Sequence, residues 1–232
     1  MSESENKILF IRGFNTDNIK SNDTYANIFV VLNQNVKNNV EYFKYSMDED
    51  IVKVYKRLRK VIKNNDFTHL VGHSMGGGLL MRYIYDYPDD IPKYKQVILL
   101  MPLLYKTRFN KFFFNLPLIR RISLPNAIAL PSSKAYSTGN ILNDGFKLVK
   151  MKQPVDMYNE IMLESADDFV DTLNDNGSNT VLFYARKEGY NPIPKDVLNK
   201  IKNKKYVNGL HECFNSLETT KEFFKKFLPY FN

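Results

Sequence analysis

A single cysteine, Cys213, stands in a chain of 232 residues. That count excludes an internal disulfide and any cysteine-rich metal site, and Cys213 reads as a small packed side chain. Histidine is nearly as scarce: His69, His73 and His211 are all there is. Chemistry that needs an imidazole must choose among the three. No run of about 18 apolar residues occurs, and the stretch from Met1 to Lys7 is polar with no apolar signal core, so the sequence is expected to be soluble and cytoplasmic, at most peripheral to membranes. A hydrophobic fraction of 44% and an aromatic fraction of 14% exclude a disordered chain, and the length fits one domain with a substantial core.

Acidic residues are missing from one stretch in particular. From Pro102 to Lys152 there are nine basic residues (Lys106, Arg108, Lys111, Arg120, Arg121, Lys134, Lys147, Lys150 and Lys152) and one acid, Asp144. Their difference equals the whole net charge of +8, and the rest of the chain balances at 24 basic and 24 acidic residues. A second basic feature, Lys53, Lys56, Arg57, Lys60 and Lys63 on one face of a helical pattern, lies beside Asp48, Glu49 and Asp50. It reads as a solvated face, and no nucleic acid is expected as a partner.

What is present is concentrated at Leu70-Val71-Gly72-His73-Ser74-Met75-Gly76-Gly77-Gly78. An apolar run ends in G-x-S-x-G, and Leu79, Leu80, Tyr83, Ile84 and Tyr87 follow at helical spacing, which predicts strand, tight turn and helix in succession. A serine hydroxyl is a poor nucleophile, so it must be held where a base can reach it and where backbone N–H groups can meet a developing oxyanion. Three glycines in the first turn of a helix each cost about 1 kcal/mol relative to alanine. Something other than helix stability must favour them.

The remaining pattern alternates strand and helix. Strands are expected at 7–12, 40–45, 96–101, 180–185 and 205–208, and helices at about 24–38, 156–173, 194–201 and 216–231. Ser46-Met47-Asp48-Glu49 reads as a capping box opening the helix that carries Ile51, Val54, Tyr55 and Leu58. Such alternation implies a parallel sheet covered on both faces. From Pro102 it stops for about fifty residues, a segment expected to be an inserted cap or lid (102–155).

Gly-His-Ser-Met-Gly-Gly resembles the nucleophile elbow of the α/β-hydrolase fold, in a form common among its lipases and esterases. The resemblance covers everything except the insert, and it implies an α/β three-layer sandwich with a mostly parallel sheet of about six strands, shortened because nothing precedes Lys7 to supply two leading strands. It implies Ser74 as nucleophile and backbone N–H groups of Phe14 and Met75 as the oxyanion hole. The fold usually carries His-Gly where this chain has Arg12-Gly13, which puts a fixed charge near the site or a salt bridge that orders the loop. His69 lies on the strand before the elbow and the His73 side chain is expected to point away along the pleat, which leaves His211 as the base, in the order nucleophile, acid, histidine that the resemblance implies. The acid follows the penultimate strand in such proteins. Glu188 stands in that place, with Asp156 and Asp196 as alternatives.

The function so implied is that of a serine hydrolase cleaving a carboxylic ester or thioester of a hydrophobic small-molecule acyl substrate, with no cofactor and no metal. The alternative is a non-catalytic ligand-binding or interaction protein that keeps the fold. For residues 102–152, where Phe109 to Ile122 joins bulky apolar groups to Lys111, Arg120 and Arg121, two roles stay open: contact with an anionic lipid surface, or a plain roof over the pocket.

Overall fold

Ile8 to Ile11, Leu70 to Val71, Val97 to Leu100 and Val181 to Ala185 are apolar at successive positions, the pattern of strands buried on both faces. In the computed structural model these runs form a single sheet. It describes residues 6–13, 22–35, 38–46, 49–106, 116, 118–121, 123–125, 148–186, 193–209, 211, 213–214 and 217–231. Strands β1 (Asn6–Ile11), β2 (Asn38–Phe43), β3 (His69–His73), β4 (Gln96–Leu100), β7 (Thr180–Ala185) and β8 (Lys204–Val207) pair in the order β2-β1-β3-β4-β7-β8. All five pairings are parallel. The fold class therefore agrees with the sequence reading, strand for strand, within two residues at each end.

Two cores sit on the two faces. One joins Leu9, Ile11, Leu70 and Leu99 to α2 (Ile51–Lys63) and α3 (Met75–Asp86). The other joins Ile8, Phe10, Val71 and Ile98 to α1 (Asn22–Asn35) and the final helix Leu217–Phe227, whose Phe223 and Phe227 stack at 4.9 Å. Alternate residues of each strand thus serve opposite layers, as the period of two requires.

Two local expectations are corrected. Ser46 does not cap α2. The cap is Asp50, whose carboxylate accepts from the N–H groups of Val52 and Lys53 at 3.0 and 3.1 Å. Glu49 does reach back to the Ser46 N–H, at 2.6 Å, so that half of the box forms, but it closes a turn before the helix. Nor is 156–173 one helix. A short helix (Lys152–Asp156) passes into a π turn (Met157–Ile161), and a new helix begins at Ala166 behind the cap Ser165, whose hydroxyl accepts from the Asp168 N–H. The break has a cause: Leu163 bridges to Tyr105 and its carbonyl accepts from the Lys106 N–H at 2.9 Å, a use of the backbone that a helix does not allow.

Between β4 and β7, Ser123–Pro125 (β5) and Leu148–Lys150 (β6) form an antiparallel pair. The turn Ile119–Arg121 is clamped to the segment after β6: Arg120 grips Asp156 through two nitrogens at 2.7 and 3.1 Å, and Lys152 meets the same carboxylate at 2.6 Å.

The corrected cap carries a prediction. Asp50→Ala should lower stability by about 1 kcal/mol in urea unfolding, while Ser46→Ala, which leaves both cap bonds intact, should change it by less than half as much.

Candidate active site

β1 lies between β2 and β3, so the chain leaves β1 in one direction for β2 and returns past it for β3. Such a reversal opens a crevice at the carboxyl ends of the two strands, the usual ligand site of a parallel sheet. Arg12 and Gly13 follow β1 there, and Ser74 follows β3.

Ser74 stands between strand and helix at φ 53, ψ −120, a left-handed conformation rare for a residue with a Cβ. Its backbone is bonded on both sides. The Ser74 N–H donates to Leu100 O, and Ser74 O accepts from the N–H groups of Leu103 and Gly78, all at 3.0 Å. The glycines explain themselves by what a Cβ would meet. At Gly76 it would fall 2.2 Å from Arg12 O and 2.4 Å from Ile11 O; at Gly77, 2.7 Å from Pro102 Cβ; at Gly78, 2.8 Å from Leu103 O and 2.6 Å from Met157 Cε. The helix start is thus pressed against the end of β1 and against the chain leaving β4. Met75, the first residue of α3, presents its N–H at the helix N-terminus, where such groups lack intrahelical partners.

His211 is buried, and its ring centroid lies 4.9 Å from that of His73, the residue before Ser74. It arrives from β8, three strands away from β3. That span is about 14 Å at ~4.8 Å per strand, close to what four extended residues cover. Gly209 turns the loop at φ 112, with no room for a Cβ against Thr219, and Thr219 Oγ1 donates to Cys213 O at 2.7 Å.

The other candidates fall as follows. Phe14 and Glu188 lie outside the described residues. Asp156 is held by Arg120 and Lys152, and Asp196 is exposed in the first turn of the helix Lys195–Lys200. His69 is structural: it bonds Thr68 Oγ1 at 2.8 Å and Tyr230 O at 3.0 Å and stacks on Phe231. Arg12 is buried with its guanidinium over the rings of Phe29 and Tyr25, at 5.1 and 5.7 Å, and makes no ion pair among the described residues. Among the described residues its partners are therefore aromatic faces.

Sequence reasoning missed the bonds that Tyr25 and His73 make. The His73 ring does turn to the α1 face, but it ends against the site: Nδ1 lies 2.8 Å from Tyr25 Oη, and Nε2 lies 3.3 Å from His211 O. Tyr25 Oη also accepts from the Gly13 N–H at 2.9 Å. In the sequence Tyr25 is one more apolar position of α1, and nothing distinguishes it.

No family model and no curated sequence matches the chain. Solved structures do. The monoacylglycerol lipase of Paleococcus ferrophilus superposes with a TM-score of 0.64 at 17% identity, covering 97% of this chain and 93% of its own. The enol-lactonase of Burkholderia xenovorans gives 0.68 at 12% identity, covering 98% and 91%. A thioesterase domain from the curacin biosynthetic pathway gives 0.62 at 14%, covering 97% and 92%. The chain has the α/β-hydrolase fold. Ser74 lies at the carboxyl end of β3 in that sheet, beside the ends of β1 and β4.

Burial sets the charge of two histidines. It pushes His69 down to about 4, with Lys95 adding to the effect, and it holds His73 well below the ordinary imidazole range, with the neighbouring His211 adding. Both are neutral in the folded chain, whereas in the unfolded chain each takes up a proton near pH 6.5. Stability is therefore full above that pH and falls as pH drops toward the folded values. His69 alone should remove roughly 2 kcal/mol between pH 7 and pH 5. Urea midpoints at the two values, for the native chain and for His69→Gln, measure this, and the variant should lose markedly less on acidification.

Proposed function

We propose that the protein is a serine hydrolase that cleaves a carboxylic ester or thioester of a hydrophobic acyl substrate. One observation carries the reading: a serine held in a left-handed elbow at the carboxyl end of β3, with the His211 ring packed on the residue before it. A serine retained in that conformation for packing alone would serve no purpose that alanine or glycine could not.

In this reading His211 takes the Ser74 proton as the hydroxyl oxygen attacks the acyl carbon. The oxyanion forms between the N–H groups of Phe14 and Met75, each contributing about 3 kcal/mol to lowering the barrier. The tetrahedral species expels the alcohol or thiol, which takes the proton from His211, and leaves Ser74 acylated. Water then repeats the sequence, giving its proton to His211 and releasing the carboxylic acid. Glu188 would hold the imidazole in the tautomer that accepts the serine proton and would stabilise its cation. A lipase, a lactonase and a thioesterase share the fold, and each name denotes work on an acyl bond of the kind proposed.

The insert would roof this site and touch anionic amphiphiles. Leu116 and Leu118 are 39% and 64% exposed, beside the exposed Arg120 and Arg121. Apolar tips flanked by cations suit an anionic interface, where each cation adds about 1 kcal/mol. No helix among the described residues is long and apolar enough to cross a membrane, so such contact would be peripheral.

Ser74→Ala should abolish hydrolysis across a panel of oxygen esters and thioesters, and abolish fluorophosphonate labelling, with the fold unchanged by circular dichroism. Full activity in that variant would remove the nucleophile. Glu188→Gln should lower turnover by orders of magnitude, about 10⁴ by analogy with triad enzymes. Sedimentation with anionic vesicles at low salt should be weakened by Leu118→Asp and by high salt, while neutral vesicles bind neither form.

A further inference from the structure

Tyr25 and His73 take no part in the acyl transfer described above, yet both are buried polar groups whose bonds run between parts of the site. The direction of each bond is fixed. His211 O can only accept, so His73 Nε2 carries a proton. His73 is neutral, so its Nδ1 is bare and accepts the Tyr25 hydroxyl proton. The Tyr25 oxygen in turn accepts the Gly13 N–H. Among the described residues a directed chain therefore runs from Gly13 through Tyr25 and His73 to the carbonyl of His211.

Its two ends belong to loops that come from different strands. Gly13 begins the segment after β1, where a Cβ would stand 3.0 Å from Ser74 Cβ, and His211 ends the reach from β8. The middle of the chain is immobilised by packing. The Tyr25 ring is stacked between Phe29, at 5.6 Å and 19°, and Phe214, at 5.8 Å and 22°, and His73 meets Phe214 edge-on at 5.0 Å. Asn27, two residues along α1, donates to Phe214 O. Helix α1 thus grips the histidine loop from below at two points.

We infer that Tyr25 and His73 are positioning residues, which through this chain of bonds set the offset of Gly13 and of His211 relative to the Ser74 hydroxyl. The inference rests on the serine-hydrolase reading of Ser74 and His211. Reaction rates in such sites fall about 10²-fold for an ångström of misplacement, so bonds that fix Gly13 and the His211 carbonyl bear directly on the rate.

The test uses the full chain and a fluorophosphonate, which needs no knowledge of the natural substrate. The saturating rate constant of labelling and the half-saturating probe concentration are measured for Tyr25→Phe, His73→Gln, His73→Leu and the pair Tyr25→Phe with His73→Leu, alongside urea midpoints. Tyr25→Phe keeps the stacked ring and should fold; its saturating rate should fall about 10- to 100-fold with half-saturation nearly unchanged. His73→Gln retains an N–H for the His211 carbonyl and should label faster than His73→Leu. The double variant should be no slower than His73→Leu, because both changes cut one chain. Labelling of folded Tyr25→Phe at the native rate, with only its urea midpoint lowered, would overturn the inference, as would multiplicative losses in the double variant. The reading beneath it fails separately: native protein that does not label, or Ser74→Ala that does, removes the serine hydrolase, whereas a dead Ser74→Ala beside a fully reactive Tyr25→Phe removes the positioning role alone.

Discussion

The left-handed backbone of Ser74 is the constraint from which the rest of the molecule follows. Such a conformation costs on the order of 1–3 kcal/mol and persists only where surroundings over-determine it. Here the surroundings are β4, which accepts the serine N–H, the corner after β4, which donates to the serine carbonyl, and the end of β1, whose carbonyls press on Gly76. Those contacts require β1, β3 and β4 to lie side by side and end at one level. A parallel sheet with its helices on the outside meets that requirement, since every strand then delivers its carboxyl end to the same rim.

Among the described residues, few charges surround Ser74. The described groups nearest to it are neutral or masked by aromatic faces: His73 is uncharged, and Arg12 lies against Tyr25 and Phe29. A dry environment of this kind strengthens each remaining hydrogen bond and makes an unpaired one expensive. The polar atoms of Tyr25 and His73 are accordingly partnered in sequence, one to the next, and do not face solvent.

Much of this was legible in the residues. The strand runs could be read because burial on both faces leaves no polar interruptions, and the elbow could be read because three glycines at a helix start contradict helix propensity. What those glycines touch could not be read, because Pro102, Met157 and the carbonyl of Arg12 are distant in the chain. The cap of α2 was misread because Ser46 and Asp50 both head plausible caps, and only the entry direction of the chain decides between them. The helix expected at 156–173 broke because Leu163 pairs with Tyr105, fifty-eight residues earlier, a long-range bond that local periodicity does not encode. The partners of His73 were hidden for a related reason: alternation along a strand gives the face a side chain occupies, but not which loop from the far edge of the sheet will be waiting there.

The two roots of the insert cross the elbow helix at adjacent glycines. Pro102 lies on Gly77 as the chain leaves β4, and Met157 lies on Gly78 as it returns, so among the described residues both flanks of the intervening segment touch the helix start that follows Ser74. A segment anchored in this way is interchangeable. Its length, charge and apolar surface can change while Ser74 keeps its backbone geometry, because the two contacts that press on Gly77 and Gly78 come from its flanks.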